Sequence, residues 1–248
     1  MMINRTLIAS PRRQDAREAL QALRLNPSRL APQLALTMMF EPVKNQFFNA
    51  CITELVIVLE TALRAPSESL LAAIRVQWWC DTVTALSETP KTATEVLTVP
   101  LAARLGRLVK LYPACHQNII DMIGHWQNAC HEPGRNSSAG WQAAWRLMAQ
   151  HSTGSQQTKM AGDIGLCFYF FSTQEQAVAA QPPKRGVPKP DQSDLAKLRR
   201  RRAETGMSWL YLNAALSLYL TQIESANQSP TMIWQILKWQ YIRPPRRL

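Results

Sequence analysis

Ile74-Arg75-Val76-Gln77-Trp78-Trp79-Cys80-Asp81 is the most distinctive stretch of the chain, because two adjacent tryptophans that follow an arginine and a glutamine are uncommon. On a helix, Arg75, Trp78 and roughly Trp79 share one face, and Asp81 lies about one turn beyond Trp78. A tryptophan that is buried needs a partner for its indole N–H. Taken alone, the stretch predicts a helix with a core tryptophan and a buried or bridging arginine.

Helical spacing of apolar residues continues on both sides of this stretch, whereas the alternation typical of strands is nearly absent. Residues 44–63 form a long apolar segment, and Pro66-Ser67-Glu68 offers a helix start with Ser67 as the N-cap. The chain has only 9 glycines, which argues against glycine-rich nucleotide folds and β-sandwiches. The sequence therefore predicts an all-α fold. Further helices are expected at about 16–23, 29–39, 99–111, 116–129, 141–150, 159–172, 193–203, 205–225 and 230–239.

One strong break interrupts this pattern at residues 174–192, which are rich in glutamine, alanine and proline. Such a composition is typical of a long loop or linker rather than of a packed element. With 46% hydrophobic residues, the 248-residue chain can bury a sizeable core. We therefore predict a single helical domain over residues 1–248, with a Pro/Gln-rich loop at 174–192.

The chain is basic, with 28 Lys and Arg against 17 Asp and Glu and a formal net charge of +11. Such a charge favours an acidic partner, such as nucleic acid, an anionic membrane surface or a phosphorylated ligand. Part of the excess is a basic patch at Lys197, Arg199, Arg200, Arg201 and Arg202. On a helix these residues spread around every face, so either a solvated helix or contact with RNA phosphates, anionic lipid or an acidic protein surface fits the patch.

Cysteine content and hydropathy bear on the compartment. The 5 cysteines have no regular spacing, which is not the pattern of a disulfide framework and favours a reducing compartment. No run reaches the roughly 18 consecutive apolar residues that a membrane span needs. The first residues lack the apolar core of a secretory signal. We expect a soluble or peripherally bound protein.

Residues 74–81 resemble the Ile-Arg-Leu-Gln-Trp-Trp-Arg-Asp signature of squalene/phytoene-synthase-like proteins, which include alphaproteobacterial members and mitochondrial complex I assembly factors. Three upstream stretches are similar to the family's Asp-Pro-Asp-Arg start, its Phe-x-Pro turn and its Phe-Asn-Ala-Glu-Leu helix. They are Asn26-Pro27-Ser28-Arg29, Phe40-Glu41-Pro42, and Phe48-Asn49-Ala50 with Glu54-Leu55. The resemblance covers residues 26–165 and implies an isoprenoid-synthase-like bundle. Its signature or vestigial-pocket residues would be Asn49, Glu54, Arg75, Gln77, Trp78, Trp79 and Asp81.

Enzymes of this family join two prenyl diphosphates with Mg²⁺, which requires two clusters of carboxylates on facing helices. In this chain Glu54 is the only acid of residues 47–59, and Glu60 lies too far around the helix to form a cluster with it. Asp163 stands alone on the helix expected to carry the second cluster. The sequence thus speaks against prenyl transfer, and we predict no catalytic, cofactor-binding or metal-binding residues.

A zinc site is the other metal hypothesis that the sequence offers. Its candidate ligands are Cys115, His116, His125, Cys130 and His131. Structural zinc sites usually show paired short spacings, and the adjacent Cys130 and His131 could not both point at one ion from a helix. A nucleophilic Ser–His–Asp or Cys–His site has no local signature either.

The resemblance together with the missing acids implies a non-catalytic protein that acts through protein contacts. Its partners would be subunits of a larger complex, most naturally a mitochondrial respiratory complex that it helps to assemble in the matrix or at the inner membrane. A bacterial paralogue in the cytoplasm is the alternative location. Two other functions stay open: an isoprenoid- or lipid-binding module with or without residual prenyl transfer, and an RNA- or ribosome-associated basic protein.

Overall fold

A computed structural model of the chain describes residues 11–28, 30–39, 41–87, 99–132 and 134–153, together with residues 162, 165, 168 and 169. Within these residues the regular structure is helical and contains no strand, which confirms the predicted all-α fold. The helices are α1 (Arg13–Arg24), α2 (Leu30–Met38), α3 (Val43–Arg64), α4 (Ser69–Ala85), α5 (Pro100–Leu111), a 3-10 turn (Pro113–Cys115), α6 (His116–His131) and α7 (Ser138–Thr153).

Helix α3 is the centre of the described bundle and packs against every other described α-helix. Its 22 residues contain no glycine or proline, and Pro42 occupies the N-cap position, where its fixed φ suits a helix start. Phe47, Phe48, Leu55 and Leu59 are completely buried. Burial on all sides explains why the segment is apolar around its whole circumference instead of along one stripe.

Helix α3 is also long and apolar enough to cross a membrane by length and composition. In the fold, however, 78% of its most apolar window is buried among the other helices. A mostly buried helix of this kind is what the core of a helical bundle requires.

The predicted helices that fall within the described residues agree with the observed ones to within a few residues. The helices predicted at 159–172, 193–203, 205–225 and 230–239 lie wholly or mostly outside the described residues. The prediction for residues 44–63 corresponds to α3, and that for 116–129 corresponds to α6. Helix α1 begins three residues earlier than predicted because the Asp15 carboxylate accepts the backbone N–H of Arg12 at 3.0 Å. The predicted N-cap Ser67 is wrong: Glu68 takes that position and makes no side-chain cap hydrogen bond.

The α3–α4 turn is held by Arg135, which lies in the loop between α6 and α7. Its guanidinium donates to the carbonyl oxygens of Leu63 at 2.8 Å, Pro66 at 2.6 Å and Ser67 at 3.0 Å. The carbonyl of Leu63 belongs to the last turn of α3, which has no partner inside the helix. The loop between α6 and α7 therefore ties the end of α3 to the turn that leads into α4.

Candidate functional site

Helix α4 has two apolar sides, of which only one is covered. Ala72, Val76, Trp79 and Val83 are buried against α3 and α6. On the other side Leu70 is 68% exposed, Ile74 55% and Trp78 45%. These three side chains follow one another at steps of four residues, so they form one continuous ridge on the helix surface. We call Leu70, Ile74 and Trp78 the outer stripe of α4.

Beside the outer stripe lies an open groove with a volume of about 540 Å³, the α3–α4 groove. Its walls come from α3, α4 and the short link between α1 and α2. The residues that line it are Asn26, Pro27, Ile57, Val58, Thr61, Ala62, Ile74, Arg75, Trp78 and Trp79. The lining is mostly apolar with a few polar groups, which is the usual composition of a binding cleft.

Arg75 supplies the only charged side chain among the residues that line the groove. It is exposed, and the described residues offer it no ion pair or hydrogen bond. The prediction of a buried or bridging arginine at this position is therefore wrong within the described part of the chain. A core tryptophan is predicted in this stretch without a choice between Trp78 and Trp79, and the structure buries Trp79, which is only 7% exposed.

Gln77 and Asp81 lie on a different part of α4. The Gln77 amide donates to the Asp81 carboxylate at 2.7 Å, and Gln127 of α6 donates to the Gln77 carbonyl oxygen at 2.7 Å. Both residues are exposed and belong to the seam between α4 and α6. The distinctive stretch therefore divides between the groove, with Arg75, Trp78 and Trp79, and this seam.

Glu54 is neutralised by a residue that is distant in sequence. Arg104 of α5 donates from Nη2 to both carboxylate oxygens of Glu54, at 2.5 and 2.6 Å. Burial raises the pKa of Glu54, and the charge and hydrogen bonds of Arg104 oppose this rise. Next to the pair, Arg107 of α5 contacts Asp15 of α1 at 2.9 Å. Glu54 thus links helices in the core and does not face the groove.

Glu60 is the centre of a buried network, the Glu60 cluster, which also contains Arg64, Trp126, Ser137 and Trp141. Its Oε2 accepts the hydroxyl of Ser137 at 2.6 Å and the indole N–H groups of Trp141 at 3.0 Å and Trp126 at 3.2 Å. Its Oε1 contacts the guanidinium of Arg64. Glu60 as a whole residue is 3% exposed, and the cluster joins α3 to α6 and α7.

Apart from the cost of burying tryptophan without a hydrogen-bond partner, no pattern in the sequence indicates the Glu60 cluster. Three of the partners are 66, 77 and 81 residues away from Glu60 along the chain. Only Arg64, four residues away on the same helix, could have been paired with Glu60 by spacing. Its spacing from Glu54 predicts an isolated acid at Glu60, whereas the structure places this carboxylate at the centre of a buried network.

Asn49 lies in the first half of α3 and is completely buried. Its amide donates to the Glu41 carboxylate at 2.6 Å and contacts the hydroxyl of Ser152 at 3.5 Å. In the same region His151 stacks on Phe48 with ring centroids 3.8 Å apart. Burial lowers the pKa of His151 to about 4, so its imidazole is neutral at pH 7.

The seven predicted signature or pocket residues therefore lie in four places and do not converge on one site. Asn49 belongs to the Glu41 and Ser152 network, Glu54 to the Arg104 pair, Gln77 and Asp81 to the α4–α6 seam, and Arg75, Trp78 and Trp79 to the groove. Asp163, the loop at 174–192 and the basic patch at Lys197 to Arg202 lie outside the described residues.

Metal-ligand geometry is absent within the described ranges, where no three His, Cys, Asp or Glu side chains are placed to share an ion. Of the residues considered for zinc, His116 bonds to the Val83 carbonyl at 2.8 Å, and Cys115 and Cys130 are buried. Burial raises the pKa of Cys115 to about 11, which disfavours the thiolate that a metal needs. The described cysteines, Cys51, Cys80, Cys115 and Cys130, are all free thiols.

Comparison of the chain with family models, with curated proteins and with solved structures finds no match.

Proposed function

We propose that the protein is a non-catalytic relative of squalene and phytoene synthases that acts by protein–protein contact, as a structural or assembly component of a large complex. The single observation that supports protein–protein contact is the exposed outer stripe of α4 beside the α3–α4 groove. The resemblance of residues 26–165 to complex I assembly factors supports a respiratory complex in the mitochondrion as the assembly. Residual prenyl transfer is the alternative that the core carboxylates argue against.

The proposal that the protein is non-catalytic is supported by how the core carboxylates are used. Glu54 is engaged by Arg104, and Glu60 by Arg64, Ser137 and two tryptophans. A carboxylate with these partners has few lone pairs left for Mg²⁺ and its water ligands. A Mg²⁺–diphosphate site at either position would require breaking contacts that hold helices together.

The proposal that the protein binds a partner is supported by the chemistry of the outer stripe. Single exposed apolar residues are ordinary on protein surfaces, but a contiguous apolar patch marks an interaction site. Here Leu70, Ile74 and Trp78 adjoin an apolar groove, and tryptophan and arginine are the residue types enriched at the centres of interfaces. Trp78 and Arg75 are therefore the expected anchors of the contact.

The test is to express the tagged full-length chain in its source cells and measure the mass of its native complexes. We expect a large complex for the wild type and its loss for Ile74→Glu and Trp78→Glu. Asn118→Glu is the matched control, because Asn118 is exposed on α6, away from the groove, and receives the same charge. A wild-type chain that migrates as a free 28.0 kDa protein in every extract contradicts the proposal.

Lipid binding is the second candidate function, and the groove is the observation that favours it. A volume of about 540 Å³ fits a small amphiphile, and Arg75 could pair with an anionic headgroup. Native mass spectrometry of gently purified protein tests this function. An adduct with the mass of an isoprenoid or acyl lipid that disappears in Arg75→Glu supports it, and an empty chain counts against it.

A further inference from the structure

Exposed apolar side chains are concentrated on one side of the described structure. Four of the six large apolar residues that are exposed in the described part of the chain belong to α4. A fifth, Leu25, directly precedes Asn26 and Pro27, which line the α3–α4 groove. The six residues are Leu25, Met39, Leu70, Leu71, Ile74 and Trp78. Scattered apolar residues are ordinary on a protein surface, but such a concentration marks a surface that binds an apolar partner.

Leu71 widens the outer stripe toward the groove. At about 100° per residue, Leu70, Leu71, Ile74 and Trp78 fall within about 100° of the helix circumference, and Arg75 lies at the edge of this arc. Leu70 and Trp78 are about 12 Å apart along the helix axis. We call the four apolar residues the α4 face. A helix face with an apolar centre and a basic edge is typical of helices that lie in the surface of a lipid bilayer.

The charge beside the α4 face is positive. Arg75 is exposed and has no ion pair or hydrogen bond within the described ranges, and Arg24 is exposed in the last turn of α1. The exposed acids of α4 lie outside the face: Asp81 belongs to the seam with α6, and Glu68 precedes the helix as its N-cap. In a chain with a formal net charge of +11, this surface complements anionic headgroups. Each Arg or Lys close to such headgroups strengthens binding about fivefold.

Trp78 has the side chain that suits the boundary between headgroups and acyl chains. Its indole combines an apolar ring with a polar N–H, which is why tryptophan is enriched at membrane–water interfaces. Trp78 is 45% exposed and packs edge-on against the buried Trp79, with ring centroids 4.9 Å apart. Because Trp79 is fixed in the core, this contact holds the Trp78 ring at the surface.

We propose that the α4 face and Arg75 bind the surface of an anionic lipid bilayer, with α4 parallel to the membrane plane. Leu70, Ile74 and Trp78 enter the boundary between headgroups and acyl chains, and Arg75 contacts lipid phosphates. Binding to a bilayer goes beyond the proposed function and does not depend on it. If both hold, the bilayer and a protein partner cover the outer stripe in turn, because the stripe cannot be buried in both at once.

The test is flotation of the purified full-length protein with phosphatidylcholine vesicles, with and without about one third phosphatidylglycerol. We expect the wild type to float with the anionic vesicles. Ile74→Glu should lower the partition coefficient about tenfold or more, because it removes about half an isoleucine side chain from the lipid. Arg75→Gln should lower it about fivefold. Asn118→Glu on α6 is the control for the added charge and should bind as the wild type does.

Fluorescence quenching by lipids with brominated acyl chains provides a second readout that reports where the lipid lies. Trp78→Phe keeps an apolar ring in the α4 face, so the variant should still bind the anionic vesicles. Its fluorescence should be quenched less than that of the wild type, because the tryptophan at the lipid boundary is missing. Equal quenching in the two proteins would show that Trp78 does not enter the lipid and would overturn the proposed orientation.

Three flotation results overturn binding by the α4 face: no flotation of the wild type with anionic vesicles, equal flotation with neutral vesicles, and flotation that Ile74→Glu and Arg75→Gln leave unchanged. The substituted side chains are exposed, so circular dichroism should show the same helix content in the variants as in the wild type. The mass of native complexes tests the proposed function separately, and a protein that forms those complexes without binding vesicles refutes the bilayer contact alone.

Discussion

Replacement of Glu60 is the perturbation with the largest expected effect on the fold. In Glu60→Leu, the hydroxyl of Ser137 and the indole N–H groups of Trp126 and Trp141 lose a common acceptor, and Arg64 loses its counter-ion. Each buried donor without a partner costs about 1–3 kcal/mol, and removing one member of a buried ion pair costs about 3–5 kcal/mol. Because these terms overlap, we expect about 4 kcal/mol of lost unfolding free energy.

Glu60→Gln should cost less, about 2 kcal/mol, because its carbonyl oxygen can still accept the three hydrogen bonds while the charge-assisted bond to Arg64 is lost. Urea unfolding of the full-length chain, followed by tryptophan fluorescence and circular dichroism, measures both values. Glu132→Gln is the control, since Glu132 is exposed at the end of α6 and should change stability by less than about 0.5 kcal/mol. If Glu60→Leu is as stable as the wild type, the Glu60 cluster does not hold α3, α6 and α7 together.

Three further predictions concern other contacts of the core. Arg104→Met removes the group that opposes the burial-driven rise in the Glu54 pKa. A carboxyl with a raised pKa favours the folded state below its ordinary pKa and loses that contribution as pH rises, so the variant's deficit in urea unfolding should grow as pH rises above about 4.5, and a deficit that does not change with pH would contradict the pairing. Burial lowers the pKa of His151 to about 4, so the contribution of its neutral imidazole to the free energy of unfolding is present above pH 6.5 and is lost as pH falls toward 4. His151→Phe should flatten that fall in stability, and an unchanged slope of stability against pH would contradict the assignment. A methyl group at Gly140 would lie 2.4 Å from the Trp126 ring, so Gly140→Ala should lower the free energy of unfolding by about 1–3 kcal/mol. Gly124→Ala on α6 is the control: the nearest neighbour of the added methyl group is 3.8 Å away, so this variant should raise the free energy of unfolding by about 0.5–1 kcal/mol. Thermal unfolding measures both values.

The helices were the part of the structure that the sequence predicted well. Apolar side chains at steps of three and four residues are a local property, and they located α3, α5 and α6 to within about two residues. A core tryptophan in α4 was also predictable, although the spacing does not say which of Trp78 and Trp79 it is; the structure buries Trp79 with Val76 and Val83. The start of α4 was not, since Glu68 takes the N-cap position in place of Ser67 and makes no side-chain cap hydrogen bond.

The contacts between helices could not be predicted because they depend on residues far apart in sequence. From the sequence alone Glu54 is an unpaired acid, because its partner Arg104 lies 50 residues later in the chain. The exposure of Trp78 likewise depends on which helices cover α4, and the spacing of residues 74–81 is equally compatible with either tryptophan facing the core. The packing of the helices, and not the spacing within residues 74–81, therefore decides which side chains line the α3–α4 groove.

The central claim is that Glu54 and Glu60 hold helices together and do not bind Mg²⁺ for prenyl transfer. Incubation of the purified full-length protein with a prenyl diphosphate and Mg²⁺, followed by measurement of released pyrophosphate, tests it most directly. We predict no release above that of a buffer without protein, for the wild type and for Glu60→Gln alike. Release that depends on the wild-type protein and on Mg²⁺, and that is abolished by Glu60→Gln in a sample that remains folded, would contradict the claim.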